Sequence, residues 1–167
     1  MDYNKLIPGY TNRQDGTMAE REARSQRQDY ARFVRITTRW HDNDIYGHVN
    51  NVVYYAFFDT AVNQLLVEAG VLDPVLSPVI GLVVETRCSY FAPVAFPAVI
   101  EVGVRVEHLG NASVRYALGI FCDGAAEASA QGAFTHVYVT RASGASTRIP
   151  EATRTVLAAL QMQGDVP

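Results

Sequence analysis

Between His41 and Asn51 the chain reads His41-Asp42-Asn43-Asp44-Ile45-Tyr46-Gly47-His48-Val49-Asn50-Asn51, with two carboxylates, two histidines and three asparagines in eleven residues. A long helical pattern begins directly after this run, and a helix start offers unpaired N–H groups and partial positive charge. A carboxylate kept ionised there suits attack on an acyl carbonyl, as nucleophile or as general base, with backbone N–H groups holding the developing oxyanion. The competing reading is structural. Asp42 and Asp44 can make the turn hydrogen bonds common in loops that enter helices, and His48 can bond the backbone.

Other chemistries fit less well. Asp42, Asn43, Asp44 and Gly47 resemble the start of a calcium loop, but the twelfth position, where a Glu belongs, is Val53. His41, Asp42 and His48 have ligand chemistry for zinc without the helical two-histidine spacing of a zinc hydrolase, so no metal is expected. No serine sits in a glycine-flanked elbow and no glycine-rich phosphate loop is present. Cys88 and Cys122 are read as inward thiols on strands, and His108 and His136 as structural histidines.

The loop must be positioned by its neighbours. Val34, Ile36, Thr38 and Trp40 alternate with Phe33, Arg35, Thr37 and Arg39, which predicts a first strand. Tyr54, Phe57, Phe58, Ala61, Val62, Leu65, Leu66 and Ala69 recur at steps of three and four, which predicts a helix over 51–69. Asn50 suits its N-cap and Gly70 its C-terminal cap. Four more alternating runs follow, over 80–90, 98–106, 114–122 and 131–141. Short links predict antiparallel pairing of consecutive strands in a meander covering the helix, an α+β class. Pro150 as a first helical residue, with Val156, Leu157 and Leu160, predicts a short closing helix.

Three regions result: a polar arm over 1–32, one domain over 33–150, and a helix and tail over 151–167. The arm lacks an apolar stripe, so it is expected to be loosely held, with helical propensity over 18–31. Apolar residues make up 49% and charged residues 19% of the sequence, which excludes disordered, collagen-like and coiled-coil classes. Fourteen Lys and Arg against seventeen Asp and Glu give a net charge of -3, too even for a nucleic-acid footprint. No apolar run spans a membrane and no leader pattern opens the chain, so a cytoplasmic protein without a membrane partner is expected.

The run from Arg39 to Tyr55 resembles the signature of hotdog-fold acyl-CoA thioesterases of the 4-hydroxybenzoyl-CoA thioesterase type. The shared pattern is an aspartate, one residue, an aspartate, two residues, a glycine, and a tyrosine early in the helix. It extends from about Phe33 to Pro150, through Ser89-Tyr90-Phe91-Ala92-Pro93. The resemblance implies a curved antiparallel sheet of five or more strands around one long helix. It also implies edge-to-edge dimers, with a homotetramer as the next assembly, and an acyl-CoA substrate bound between protomers without any cofactor. It places the catalytic carboxylate on Asp44 and the oxyanion donor on the Asn51 main-chain N–H, with His48 orienting loop or substrate. His48 also matches a histidine of plant acyl-carrier-protein thioesterases, whose asparagine two residues earlier is here Tyr46. The alternatives to a thioesterase are a non-catalytic acyl-CoA or acyl-carrier binding module and a hotdog hydratase or dehydratase.

Overall fold

Alternating apolar side chains build five strands: β1 (Arg32–Thr37), β2 (Val79–Tyr90), β3 (Val99–Leu109), β4 (Ser113–Cys122) and β5 (Ala130–Thr140). Two helices accompany them, α1 (Asn51–Glu68) and α2 (Glu151–Ala158). The computed structural model describes residues 22–162. All five strands pair antiparallel in one curved sheet of order β1-β3-β4-β5-β2, the α+β architecture expected.

Steps of three and four put Tyr54, Phe57, Phe58, Ala61, Val62 and Leu66 on the buried side of α1. They meet the inward residues of the central strands, including Val102, Val104, Tyr116, Leu118 and Phe134, in one core. Phe58 is fully buried, and truncating such a side chain to alanine costs about 3–5 kcal/mol. The helix stops one residue earlier than its periodicity predicts: Ala69 is the C-cap, and Gly70 follows with φ +70°. Pro150 is the N-cap of α2 rather than its first helical residue. Leu157 and Leu160 of this segment join the core.

The expected meander holds for β3, β4 and β5, but β2 does not pair with β3. It lies at the opposite edge, beside β5. The eight residues 91–98 make the crossing. Three strand spacings are about 14 Å, and eight extended residues reach about 26 Å. The link therefore has slack to pack on other parts of the chain, which matters for the site below.

The arm expected over 1–32 is corrected where it can be seen, since 1–21 lie outside the described residues. Residues 22–31 are fastened across the face of the sheet opposite α1, with one 3-10 turn at Arg27–Asp29 in place of the longer helix expected. Arg24 Nε and Nη2 donate to the Ala128 carbonyl at 3.0 and 2.9 Å, and Ser25 N donates to Gln131 Oε1 at 2.8 Å. Tyr30 lies over the strands where a Cβ at Gly103 would come within 2.7 Å of its ring. Arg27 stacks on Phe33 at 4.4 Å and pairs with Glu101 at 2.8 Å.

Candidate active site

After β1 the chain makes a 3-10 turn at Trp40–Asp42, and Asp42 closes it. Its carboxylate is 1% exposed and accepts from Arg39 N at 2.7 Å, Arg39 Nε at 3.0 Å and Arg39 Nη2 at 2.9 Å. The Asp42 carbonyl accepts from Asn50 N at 2.9 Å. One residue therefore ties the end of β1 to the N-cap of α1. Both oxygens of this carboxylate are occupied, so Asp42 holds the loop.

Between these anchors the chain turns back on itself. Asn43 bridges to Val49, Asp44 N donates to the His48 carbonyl at 2.8 Å, and Gly47 N donates to the Asp44 carbonyl at 3.1 Å. Gly47 has φ +80°, a conformation that costs a side-chain-bearing residue about 1 kcal/mol or more. Asp44 Oδ1 accepts from Tyr46 N at 2.8 Å, the turn bond expected of an Asp in a loop. Its Oδ2 makes no hydrogen bond among the described residues. The structure thus divides Asp44 between both readings of the sequence, one oxygen fixing the turn and the other left open.

The crossing segment 91–98 braces this hairpin from behind. Val49 N donates to the Val94 carbonyl at 2.7 Å, and Phe96 N donates to Asn43 Oδ1 at 3.0 Å. Asn50 caps α1 as expected, its Oδ1 accepting from Val52 N at 3.2 Å. Asn51, the first helical residue, has no intrahelical acceptor for its N–H, which remains among the open donors of the helix start. The Tyr90 hydroxyl at the end of β2 donates to the Asn51 carbonyl at 3.2 Å, and its ring meets Tyr54 edge-on at 5.0 Å. Burial, first, and then Cys88 and Tyr55 hold Tyr90 well above the usual phenol range. Burial pushes the Cys88 thiol up to about 11, which makes it a poor nucleophile.

His48 is half-buried in the hairpin, and its carbonyl rather than its ring makes the Asp44 contact. His41 is exposed. Among the described residues no three His, Cys, Asp or Glu side chains gather as a metal site, and no helix is long and apolar enough to cross a membrane. Ile45, Tyr46 and Val52 are 93%, 82% and 62% exposed, so this corner of a single chain is open and apolar at its rim.

Asp44, His48 and Asn51 are thus gathered in one hairpin and the helix start it feeds. The bracing by Asn43 and residues 91–98, the clamp by Arg39, and the Tyr90 tether were not foreseen. An arginine three residues before Asp42 was the available signal for the clamp.

A family model of the thioesterase-like superfamily matches residues 38–159. The chain belongs to that superfamily. The matched stretch includes the hairpin, all of α1 and the four following strands. Among solved structures, the PA5185 protein of Pseudomonas aeruginosa strain PAO1 is 59% identical, covering 83% of this chain and 97% of that one with a TM-score of 0.82. A thioesterase from Thermus thermophilus, solved in complex with coenzyme A and zinc, is 26% identical over 80% of this chain and 97% of that one, TM-score 0.66. The BH1999 gentisyl-coenzyme A thioesterase, 22% identical over 75% of this chain and 99% of that one at TM-score 0.68, shares the fold. No curated protein sequence matches the chain.

Proposed function

We propose that this superfamily member is an acyl-CoA thioesterase of the 4-hydroxybenzoyl-CoA thioesterase type, hydrolysing an acyl-CoA to the free acid and CoA. The observation that carries the reading is Asp44 Oδ2, without a hydrogen bond among the described residues, in the hairpin that feeds the open N–H groups of α1. Asp44 either deprotonates a water that attacks the thioester carbon or attacks it directly; the Asn51 N–H receives the oxyanion and the C–S bond breaks as CoA leaves, and on the direct route a water then hydrolyses the acyl–Asp44 anhydride to release the acid and restore the carboxylate. A thiolate leaves readily, so the site needs no strong acid partner and no cofactor beyond the CoA of the substrate. His48 keeps a positioning role through the hairpin. The coenzyme A held by the Thermus thermophilus relative supports the same substrate class here.

The working unit in this proposal is a homodimer, with a homotetramer as the next assembly. β2 is a twelve-residue edge strand whose Leu82, Val83 and Val84 are 47%, 47% and 62% exposed, an edge suited to pairing with a second copy. Such pairing would wall the open corner around Asp44. The second reading is a non-catalytic acyl-CoA binder, favoured by the Asp44 Oδ1 bond to Tyr46 N, which a purely structural Asp would also make. An acyl-CoA panel with thiol detection separates the two. Thiol release supports the enzyme, and saturable binding without thiol release across the panel establishes the binder.

A further inference from the structure

The peptide unit that carries the Asn51 N–H lies between two others that are both fixed. Before it, Asn50 N donates to the Asp42 carbonyl at 2.9 Å. After it, the unit joining Asn51 to Val52 is held at both ends: Val52 N donates to Asn50 Oδ1 at 3.2 Å, and the Asn51 carbonyl accepts from the Tyr90 hydroxyl at 3.2 Å. The central unit is itself engaged through its oxygen, since the Asn50 carbonyl accepts from Val53 N at 2.9 Å. Its N–H makes no hydrogen bond among the described residues. A peptide unit is planar and rigid, so holding its oxygen and both neighbouring units fixes where that N–H points.

Three of these four bonds are local, made within residues 42–53, while the one from Tyr90 comes from 39 residues away. Tyr90 ends β2 opposite Ala130 of β5, and Phe91 N and Ala92 N continue the attachment by donating to the Ser129 carbonyl at 2.9 and 3.0 Å. Phe91 is buried. The Tyr90 hydroxyl therefore stands on a post built into the sheet, its ring edge-on against Tyr54 at 5.0 Å. Burial first, then Cys88 and Tyr55 beside it, keep the phenol protonated at neutral pH, so it remains a donor. The first turn is where a helix is held least, because its N–H groups have no intrahelical acceptors. A carbonyl has two lone pairs and the helical ladder uses one of those on Asn51, so the Tyr90 bond adds a hold without displacing one. An oxyanion donor acts best when it is aimed before charge develops, since a preorganised dipole costs no reorganisation in the transition state.

We propose that Tyr90 is a positioning residue for the oxyanion donor: its hydroxyl, carried on the sheet, fixes the first turn of α1 so that the Asn51 N–H is aimed before substrate arrives. The proposal rests on the thioesterase reading above, and every group in it belongs to one chain. Tyr90 acts through the Asn51 carbonyl and not on the thioester itself. Without the hydroxyl the donor is still present but loosely aimed, so the loss falls on the transition state and not on substrate binding.

Tyr90→Phe keeps the ring against Tyr54 and removes only the hydroxyl. With the best acyl-CoA of the panel, kcat from thiol release is expected to fall about tenfold while KM stays within about twofold, a smaller loss than the roughly 10²–10³ seen when an oxyanion donor is removed outright. A tether that only stabilises the fold would leave kcat per folded molecule unchanged, and a urea midpoint on the same sample gives the folded fraction. Placing 4-aminophenylalanine at position 90 restores an N–H donor at the far end of the ring and should recover most of the lost kcat. The Val52 amide nitrogen shares its peptide unit with the Asn51 carbonyl, so its NMR signal reports the tether without turnover and should move in Tyr90→Phe. Unchanged kcat in folded Tyr90→Phe, a loss confined to KM, a kcat loss that the amino analogue does not recover, or an unmoved Val52 signal each overturns the proposal. Absence of thiol release from the wild type across the panel sinks the thioesterase reading and this proposal with it, whereas wild-type release undiminished in Tyr90→Phe sinks this proposal alone.

Discussion

Asp42 and Asp44 are two residues apart in one loop, yet their surroundings give them opposite work. Asp42 is buried and spends both carboxylate oxygens on Arg39, while its carbonyl ties down Asn50. Asp44 is half-exposed and spends one oxygen on Tyr46 N, the other making no hydrogen bond among the described residues. The lesson is that the buried carboxylate makes the loop rigid so that the exposed one need not be. The proposed chemistry falls to the less stabilised partner of the pair.

The sharpest way to break this contrast is to neutralise each aspartate in turn. Asp44→Asn keeps the Oδ1 acceptor for Tyr46 N, so its unfolding midpoint should stay near the wild type while kcat falls about a hundredfold or more. His136 extends the contrast, being buried like Asp42 but with its Nδ1 lacking a hydrogen-bond partner among the described residues. Its pKa is lowered from 6.5 to about 4, so the unfolded chain binds the extra proton first. The His136 contribution to stability is complete above pH 6.5 and is lost as pH falls towards about 4, by about 2–3 kcal/mol. Urea titrations of wild type and His136→Leu across that range should diverge in slope against pH; parallel curves would contradict the buried, unpartnered imidazole.

Asp42→Asn should reverse the Asp44 result, costing about 2 kcal/mol of stability through lost charged hydrogen bonds. The figure sits low in its range because Arg39 is 60% exposed and can rehydrate. An unchanged denaturation midpoint would remove Asp42 from its clamping role. Gly47→Ala should cost about 1 kcal/mol, from the positive φ alone, because open space surrounds the added methyl. Tyr90→Phe should be mildest, at about 0.5–1 kcal/mol, since it removes one hydrogen bond to the Asn51 carbonyl and leaves the ring against Tyr54. Calorimetry of these two variants ranks them, and a Tyr90→Phe loss exceeding that of Gly47→Ala would show the tether to be stronger than its geometry implies.

Local periodicity explains why so much of the architecture could be read early. Alternation marks the strands and steps of three and four mark α1, with Asn50 and Gly70 punctuating its ends. The non-local features escaped. Nothing in β2 itself says that it will skip β3 and join β5, because the choice of neighbour depends on what residues 91–98 can pack against. Residues 22–31 look unattached by composition, yet they dock where Gly103 and Gly119 leave room for Tyr30. The candidate site was legible as a cluster of residue types, while the division of labour between Asp42 and Asp44 depends on burial, which spacing does not encode. His136, read as structural, became informative only once Gly81 was found across the sheet beside it.

The central claim is that the open oxygen of Asp44 does the chemistry. Single-turnover thiol release and acyl-CoA binding, measured on the same folded Asp44→Asn sample with the best substrate of the panel, test it most directly. The account expects binding within a few fold of wild type and release slowed about a hundredfold or more. Release at the wild-type rate from that sample would contradict it.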